Sequence, residues 1–206
     1  MRNPDRSASA ARIVDRHHRG RTTTVPPAPG TSWVALTAFM AGDHARLDAL
    51  LHAAVATPGR IDHASFDPFR TGLLRHIALE EKVLLIAACE ARGEPLPMAR
   101  SLRIEHGALA SLLVPSPTPQ LVEEIRSILV AHNAAEEGPG GLYAVCDELL
   151  AGQAASLLER LRAYPPVKVA RYRDGPRVHR TAAEALAASA GQLERAESRT
   201  GREGRP

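Results

Sequence analysis

Aromatic side chains are scarce in this sequence of 206 residues, which contains one Trp, three Tyr and three Phe. A hydrophobic core must therefore be built mainly from Ala and Leu, which suit helices better than strands. This composition argues against an all-β fold and predicts an all-α protein instead.

Cysteines and long apolar runs are also rare. Cys89 and Cys146 are too few for a disulfide scaffold, and we expect both to be small core residues. The chain has no run of about 18 apolar residues, which predicts that it does not span a membrane. Its Arg-rich beginning lacks the apolar segment of a secretory signal peptide. Together these features predict a cytoplasmic protein.

Positive charge is in slight excess, at +3, and it is concentrated at the two ends of the chain. Residues 1–30 carry six Arg and two Asp, and residues 165–206 carry nine basic and five acidic side chains. Residues 31–164 carry 11 basic and 16 acidic side chains. This acidic centre does not offer the clustered Lys and Arg that a phosphate backbone requires. Nucleic acid is therefore not an expected partner.

Capping and turn signals divide the chain into three parts. Residues 1–30 have no apolar period and are expected to be a disordered basic segment. Residues 31–164 carry four amphipathic helical patterns, and residues 165–206 form a basic extension with one short predicted helix, Thr181–Ala196. Gly138–Gly141 breaks the fourth pattern, which is predicted to resume over residues 142–163.

Each helical pattern begins at an N-cap residue, a proline or both. The predicted starts are Ser32 for the first helix, Asp67–Pro68 for the second, Pro97 for the third and Thr118–Pro119 for the fourth. The connections between the patterns are short, so sequential helices are expected to run antiparallel. The sequence therefore predicts an up-down-up-down four-helix bundle.

Each of the four helices places one histidine in its apolar stripe, and two of these histidines are followed by a glutamate one turn later. The six residues are His44, His76, Glu80, His106, His132 and Glu136. Residues four apart lie on one helix face, so each His–Glu pair points the same way. Two buried carboxylates among four imidazoles make physical sense chiefly when cations lie between them. Imidazole and carboxylate suit iron, zinc or manganese, whereas the lack of thiolate argues against copper(I) and iron–sulfur clusters.

The same residues and their neighbours resemble the hemerythrin-like (HHE cation-binding) domain over about residues 33–150. The motifs are Asp43-His44, His76-x-x-x-Glu80-Glu81, Glu105-His106 and His132-x-x-x-Glu136-Glu137. Ferritin-like proteins use Glu-x-x-His motifs instead. The resemblance implies that the six residues are ligands of two non-haem iron ions, with Glu80 and Glu136 as bridges. It also implies that the protein binds O₂, peroxide or nitric oxide as a sensor, a scavenger or an iron-handling protein.

One departure from the oxygen-carrying members of that family concerns the third helix. Those members have a second histidine one turn after the third-helix histidine, whereas this chain has Ala110. Fewer protein ligands leave more positions for water or an exogenous ligand, so simple reversible O₂ carriage is not expected. Two alternatives stay open. One is a di-iron oxidase or peroxidase, and the other is a metal-free helical interaction module whose basic tails bind an acidic partner.

Three residues lie beside the predicted ligands in the sequence pattern. Glu81 and Glu105 are rotated by about 100° from the ligand stripe and are expected at the surface or as acceptors for an imidazole N–H. Tyr143 follows Glu136 by seven residues, and its hydroxyl would be able to reach a metal-bound oxygen. The helix break lies between these two residues, so Tyr143 is not assigned to the site.

Overall fold

The computed structural model of the protein describes residues 35–203. The predicted disordered segment 1–30 and the predicted cap Ser32 lie outside the described residues. Within residues 35–203 the regular structure is helical and includes no strand, which confirms the all-α prediction. None of the helices in this part of the chain is long and apolar enough to cross a bilayer.

Residues 35–203 contain the following α-helices: α1 Ala35–Ala54, α2 His63–Leu79, α3 Leu85–Arg92, α4 Ala99–Leu112, α5 Pro119–Glu137, α6 Leu142–Leu149, α7 Ala154–Ala163 and α8 Ala182–Glu203. A π-helical segment, Glu80–Leu84, continues α2 directly into α3. A short 3-10 turn, Ala151–Gln153, connects α6 to α7.

The N-terminal caps explain where two of these helices begin. Thr118 accepts a hydrogen bond from the Leu121 backbone N–H at 3.1 Å, and Pro119 is the first residue of α5, as predicted. The predicted start of the second helix at Asp67–Pro68 is wrong.

Helix α2 begins at His63 because Asp62 provides the cap that was assigned to Asp67. The Asp62 carboxylate accepts from the Ala64 backbone N–H at 3.0 Å and from the Ser65 hydroxyl at 2.7 Å. This earlier start also places Phe66 in the core, where it is fully buried. Pro68 therefore lies inside the helix.

Two further helix boundaries differ from the prediction. The helix predicted over residues 142–163 is interrupted where Leu150 leaves the helical conformation, just before Gly152. The C-terminal helix is not short, since α8 extends to Glu203. It packs along α4, where a methyl group on Gly107 would clash with the Ser189 hydroxyl oxygen. Long-range packing of this kind stabilises a helix beyond its intrinsic propensity.

Arg70 holds the stretch between α7 and α8 against the helices. Its guanidinium donates to the carbonyl oxygens of Leu113 at 2.7 Å and Ala170 at 2.8 Å. The same group lies 4.3 Å above the ring of Tyr172. A turn follows Asp174, where the Val178 backbone N–H donates to the Gly175 carbonyl.

Two apolar clusters of buried residues lie on either side of the predicted ligands. One cluster contains Met40, Leu79, Leu102 and Leu142, and the other contains Leu47, Leu73, Leu109 and Ile128. Along the chain, each of the four predicted histidines is preceded by a member of one cluster and followed by a member of the other. The four cases are Met40–His44–Leu47, Leu73–His76–Leu79, Leu102–His106–Leu109 and Ile128–His132–Leu142. The polar residues therefore occupy a level between two apolar layers.

The junction between α5 and α6 is tight, and glycine makes it possible. A methyl group on Gly141 would lie 2.6 Å from the carbonyl oxygens of both Ala135 and Glu136. The preceding Gly140 has φ +71°, a conformation that favours glycine. Helix α6 can therefore start directly against the last turn of α5.

We expect Gly141→Ala to lower the free energy of unfolding by ~1–3 kcal/mol, because the added methyl group must push backbone atoms apart. Urea unfolding of the purified variant would measure this change. Gly42→Ala is the matched control, since a methyl group there meets nothing within 4 Å. That control should be neutral or more stable by up to about 1 kcal/mol. Equal stability of Gly141→Ala and wild type would contradict the tight junction.

Candidate metal centre

The six residues predicted as ligands converge in the core. Each is buried, with at most 6% of its surface exposed. Their donor atoms form two groups, each with all four atoms within 4.8 Å of one another. We call His44, His76, Glu80 and Glu136 the first position, and Glu80, His106, His132 and Glu136 the second position.

Both positions share the same two carboxylates, and each carboxylate points one oxygen into each position. Glu80 Oε1 lies 3.2 Å from His76 Nε2, and its Oε2 lies 3.1 Å from His106 Nε2. Glu136 Oε2 lies 3.4 Å from His44 Nε2, and its Oε1 lies 3.3 Å from His132 Nε2. This is the arrangement in which two carboxylates can bridge two cations.

Four further carboxylates hold the other nitrogen of each imidazole. The Nδ1–H groups donate as follows: His44 to Glu137 at 2.5 Å, His76 to Asp43 at 3.0 Å, His106 to Glu81 at 2.8 Å and His132 to Glu105 at 2.7 Å. Such bonds fix the tautomer and leave Nε2 as the atom that can bind a metal.

The sequence pattern left Glu81 and Glu105 either at the surface or in this role, and the structure gives them this role. The pattern missed the role of Asp43 and Glu137. A signal for the missed pair was present, because Asp43 precedes His44 and Glu137 follows Glu136 in the chain. Every one of the four carboxylates is thus the neighbour in sequence of a predicted ligand. The partner helix could not be read from the sequence alone.

The π-helical segment Glu80–Leu84 positions two acidic side chains for different tasks. Its wider turn is closed by the Leu85 backbone N–H, which donates to the Glu80 carbonyl. The Glu80 side chain lies between the two positions, while Glu81 turns to His106 and to Arg103 Nε at 3.2 Å. π-Helical segments are rare in proteins, and those that occur are often found at functional sites. The helical period of the sequence did not predict it.

Tyr143 lies at the first position, although the sequence pattern left it unassigned. Its ring is 1% exposed, and its hydroxyl donates to Glu80 Oε1 at 2.5 Å. The same oxygen lies 3.1 Å from His44 Nε2, 3.2 Å from His76 Nε2 and 3.3 Å from Glu136 Oε2. The tight α5–α6 junction brings it there, and the spacing of seven residues from Glu136 was the available signal.

The second position contains three buried polar atoms that form no hydrogen bond with any described residue: Glu80 Oε2, His106 Nε2 and Glu136 Oε1. A buried polar atom without a partner costs about 1–3 kcal/mol. Glu80 Oε2 lies 3.1 Å from His106 Nε2, and Glu136 Oε1 lies 3.7 Å from the same nitrogen. The three atoms therefore surround a common point. These residues therefore fit a metal ion.

The carboxylates and imidazoles perturb one another strongly. Burial disfavours a charged His76, but Glu80 and Asp43 outweigh this effect and raise the pKa of His76 to about 10. Burial likewise opposes charge on Glu80, yet His76 and His106 bring its pKa well below the usual value. Burial and the charge of Glu80 raise the pKa of Glu136. The pocket thus stabilises positive charge between its carboxylates.

A cavity of about 260 Å³ lies beside His44, between α1, α2 and α5. Its apolar lining comes from Leu47, Leu51, Phe69, Leu73, Leu129 and Val130. Asp48, His52, Arg126 and Asn133 add polar groups to the wall. The cavity is large enough for small molecules, and it extends to one of the predicted ligands.

Comparison with models of protein families, with curated proteins and with solved structures finds no match to this chain. The chemistry of the centre therefore follows from its own geometry. Two groups of buried nitrogen and oxygen donors share two carboxylates, and each group could hold a metal ion.

Metal binding near neutral pH is expected to release protons. A pKa of about 10 means that His76 is protonated before it binds, and its Nε2 must lose that proton to bind a metal. The apparent affinity for Zn²⁺ should therefore rise with pH up to about pH 10. Calorimetry in two buffers with different protonation enthalpies measures the number of protons released.

The control for this experiment is His52→Ala, because His52 is exposed and belongs to neither position. It should leave proton release unchanged. Zinc binding that releases no proton at any pH would contradict the charge distribution described above.

Proposed function

We propose that the protein is a non-haem di-iron protein of the hemerythrin-like type, which binds O₂ or a related small ligand such as peroxide or nitric oxide. The observation that carries this proposal is the sharing of Glu80 and Glu136 between the two positions. Two ions bridged by these carboxylates, each held by two imidazoles, would use every donor atom of the six residues. The motifs that resemble the hemerythrin-like domain supply those same residues.

The donor chemistry supports iron. Nitrogen and oxygen ligands suit iron, zinc and manganese. Of these metals, iron bound in the centre would allow it to bind O₂, peroxide and nitric oxide. Cys146 lies near the centre, but burial together with Asp147 and Glu80 raises the pKa of its thiol to about 12. That thiol stays protonated and is not proposed as a ligand. Both cysteines are free, and we propose a cytoplasmic location for the protein.

The order of the apolar clusters along the chain supports an up-down-up-down bundle. Helices α1 and α4 pass from the Met40 cluster through their histidine to the Leu47 cluster. Helix α2 passes in the opposite sense, and so does α5 together with the following α6, which carries Leu142. We therefore propose that α1, α2, α4 and α5 form the four-helix bundle that holds the two ions.

The surrounding protein has three tasks in this proposal. The four outer carboxylates hold the imidazole rings in one tautomer and one orientation. The two apolar layers limit the access of water to the charged centre. The cavity beside His44 has room for small uncharged molecules at the edge of the centre, which suits a sensor or a scavenger of such molecules.

A di-iron oxidase or peroxidase is the second candidate. The observation that favours it is the hydroxyl of Tyr143, which lies within hydrogen-bonding distance of four donor atoms. A phenol in that place can deliver a proton to a reacting oxygen. Repeated turnover with peroxide would identify an enzyme, whereas a single binding event would identify a sensor or a carrier.

The iron content tests the proposed function directly. Protein purified from iron-replete cells should contain about two irons per chain and should change its visible absorption in air. His132→Ala should reduce the iron content, because it removes a ligand of the second position. His52→Ala is the control and should keep both irons. A wild-type chain with less than about half an iron would contradict the proposal.

Ala110 offers a second test, because the side chain four residues after His106 lies on the same helix face. We expect Ala110→His to add an imidazole to the second position, to weaken azide binding and to slow oxidation of the reduced protein in air. Azide titration and stopped-flow absorption measure these effects. Ala110→Val is the control for size. Equal azide affinity in Ala110→His and wild type would show that residue 110 does not border the centre.

A further inference from the structure

We propose that Tyr143 is itself a metal ligand, which binds the ion of the first position through its phenolate oxygen. This inference rests on the proposed function, because it requires a metal at that position. It goes beyond the six predicted ligands and makes the two positions unequal. The first would have five protein donors, and the second would have four.

The distances around Tyr143 Oη are those of a ligand beside other ligands. Two donors that bind one ion at right angles, with bonds of ~2.1 Å, lie about 3.0 Å apart. Tyr143 Oη lies 3.1 Å from His44 Nε2, 3.2 Å from His76 Nε2 and 3.3 Å from Glu136 Oε2. The fourth donor, Glu80 Oε1, is closer at 2.5 Å. All four donors of the first position are thus neighbours of this one oxygen.

The hydrogen bonds of the phenol would change when a metal ion binds at the first position. A phenol has one proton, and it donates that proton to Glu80. When an ion binds, Nε2 of His76 gives up its proton and directs its lone pair at the metal, so the phenol oxygen can no longer accept a hydrogen bond from it and still faces the Glu136 carboxylate at 3.3 Å. An oxygen among four lone-pair donors is stabilised when it shares the cation with them. Coordination replaces the phenol proton, which passes to solvent.

The fold leaves the Tyr143 ring no other place. Tyr143 is the second residue of α6, whose start is fixed against α5 by the Gly138–Gly141 junction. Its neighbours Leu142 and Cys146 are fully buried in the same apolar cluster. The hydroxyl therefore stays at the first position.

The two positions consequently differ in what they offer an exogenous ligand. Every donor of the first position has Tyr143 beside it, whereas the orphaned atoms His106 Nε2, Glu80 Oε2 and Glu136 Oε1 all belong to the second position. An exogenous O₂, peroxide or azide is therefore expected to bind at the ion held by His106 and His132. This is the position that Ala110→His would crowd.

Ferric iron bound to a phenolate absorbs visible light through charge transfer, and this band is the readout. We expect ferric wild-type protein to show the band and Tyr143→Phe to lose it. Tyr172→Phe is the matched control, because Tyr172 contacts Asp67 and Arg70 away from the centre. It should keep the band. Resonance Raman spectra of protein grown on ring-deuterated tyrosine should show shifted phenolate modes.

Metal titration gives a readout that is independent of iron chemistry. Wild-type protein should bind two Co²⁺ ions, and Tyr143→Phe should bind one of them more weakly by about tenfold or more. Tyr172→Phe should match wild type. Circular dichroism melting shows whether each variant is folded. If Tyr143→Phe does not fold, the isotope shift in the wild-type Raman spectrum decides the matter alone.

Several outcomes would overturn the inference. One is a two-iron wild-type protein without phenolate bands, and another is a Tyr143→Phe variant that keeps them. A wild-type chain that binds one ion while Tyr143→Phe binds two would show that the hydroxyl blocks the first position. A wild-type protein that binds no metal would instead contradict the proposed function, so the two failures are distinguishable.

Discussion

The burial of two carboxylates in the centre of the protein is the constraint on which the rest of the structure depends. Glu80 and Glu136 are completely buried, and a buried charge is costly unless it is paired. Four imidazoles surround them, and each imidazole is held by a further carboxylate at its Nδ1. Apolar layers above and below the centre then separate this polar level from water. Charge compensation thus extends outward from the two glutamates to the surface of the helices.

The tyrosine adds an asymmetry to a centre that is otherwise nearly symmetric. The two His-x-x-x-Glu motifs on α2 and α5 place equivalent donors on both sides. Tyr143 enters from α6 on one side, and the described residues place no equivalent side chain on the other. In the proposed function, two chemically different positions in one pocket would allow one ion to be retained firmly while the other exchanges its ligands.

Much of the centre could be predicted from the sequence, because residues four apart on a helix share a face. That rule paired His76 with Glu80 and His132 with Glu136, the apolar stripes added His44 and His106, and the Thr118–Pro119 cap was equally local. The start of α2 was not predictable in this way, since Asp62 and Asp67 are both good caps and the burial of Phe66 decides between them. The π-helical turn at Glu80 and the place of Tyr143 also depend on contacts between distant residues. Local patterns do not contain that information.

The ring of Nδ1 contacts has a consequence for the register of the helices. Each of the four main helical segments contributes two adjacent residues, one donor and one outer carboxylate: Asp43-His44, Glu80-Glu81, Glu105-His106 and Glu136-Glu137. Adjacent residues point about 100° apart around a helix, so each segment touches two different neighbours. Sliding or rotating one segment would break bonds to both neighbours at once. The polar level therefore favours a single alignment of the helices. The interchangeable leucines of the apolar layers would tolerate shifted packings, but such shifts are disfavoured because they break the hydrogen bonds of the polar level.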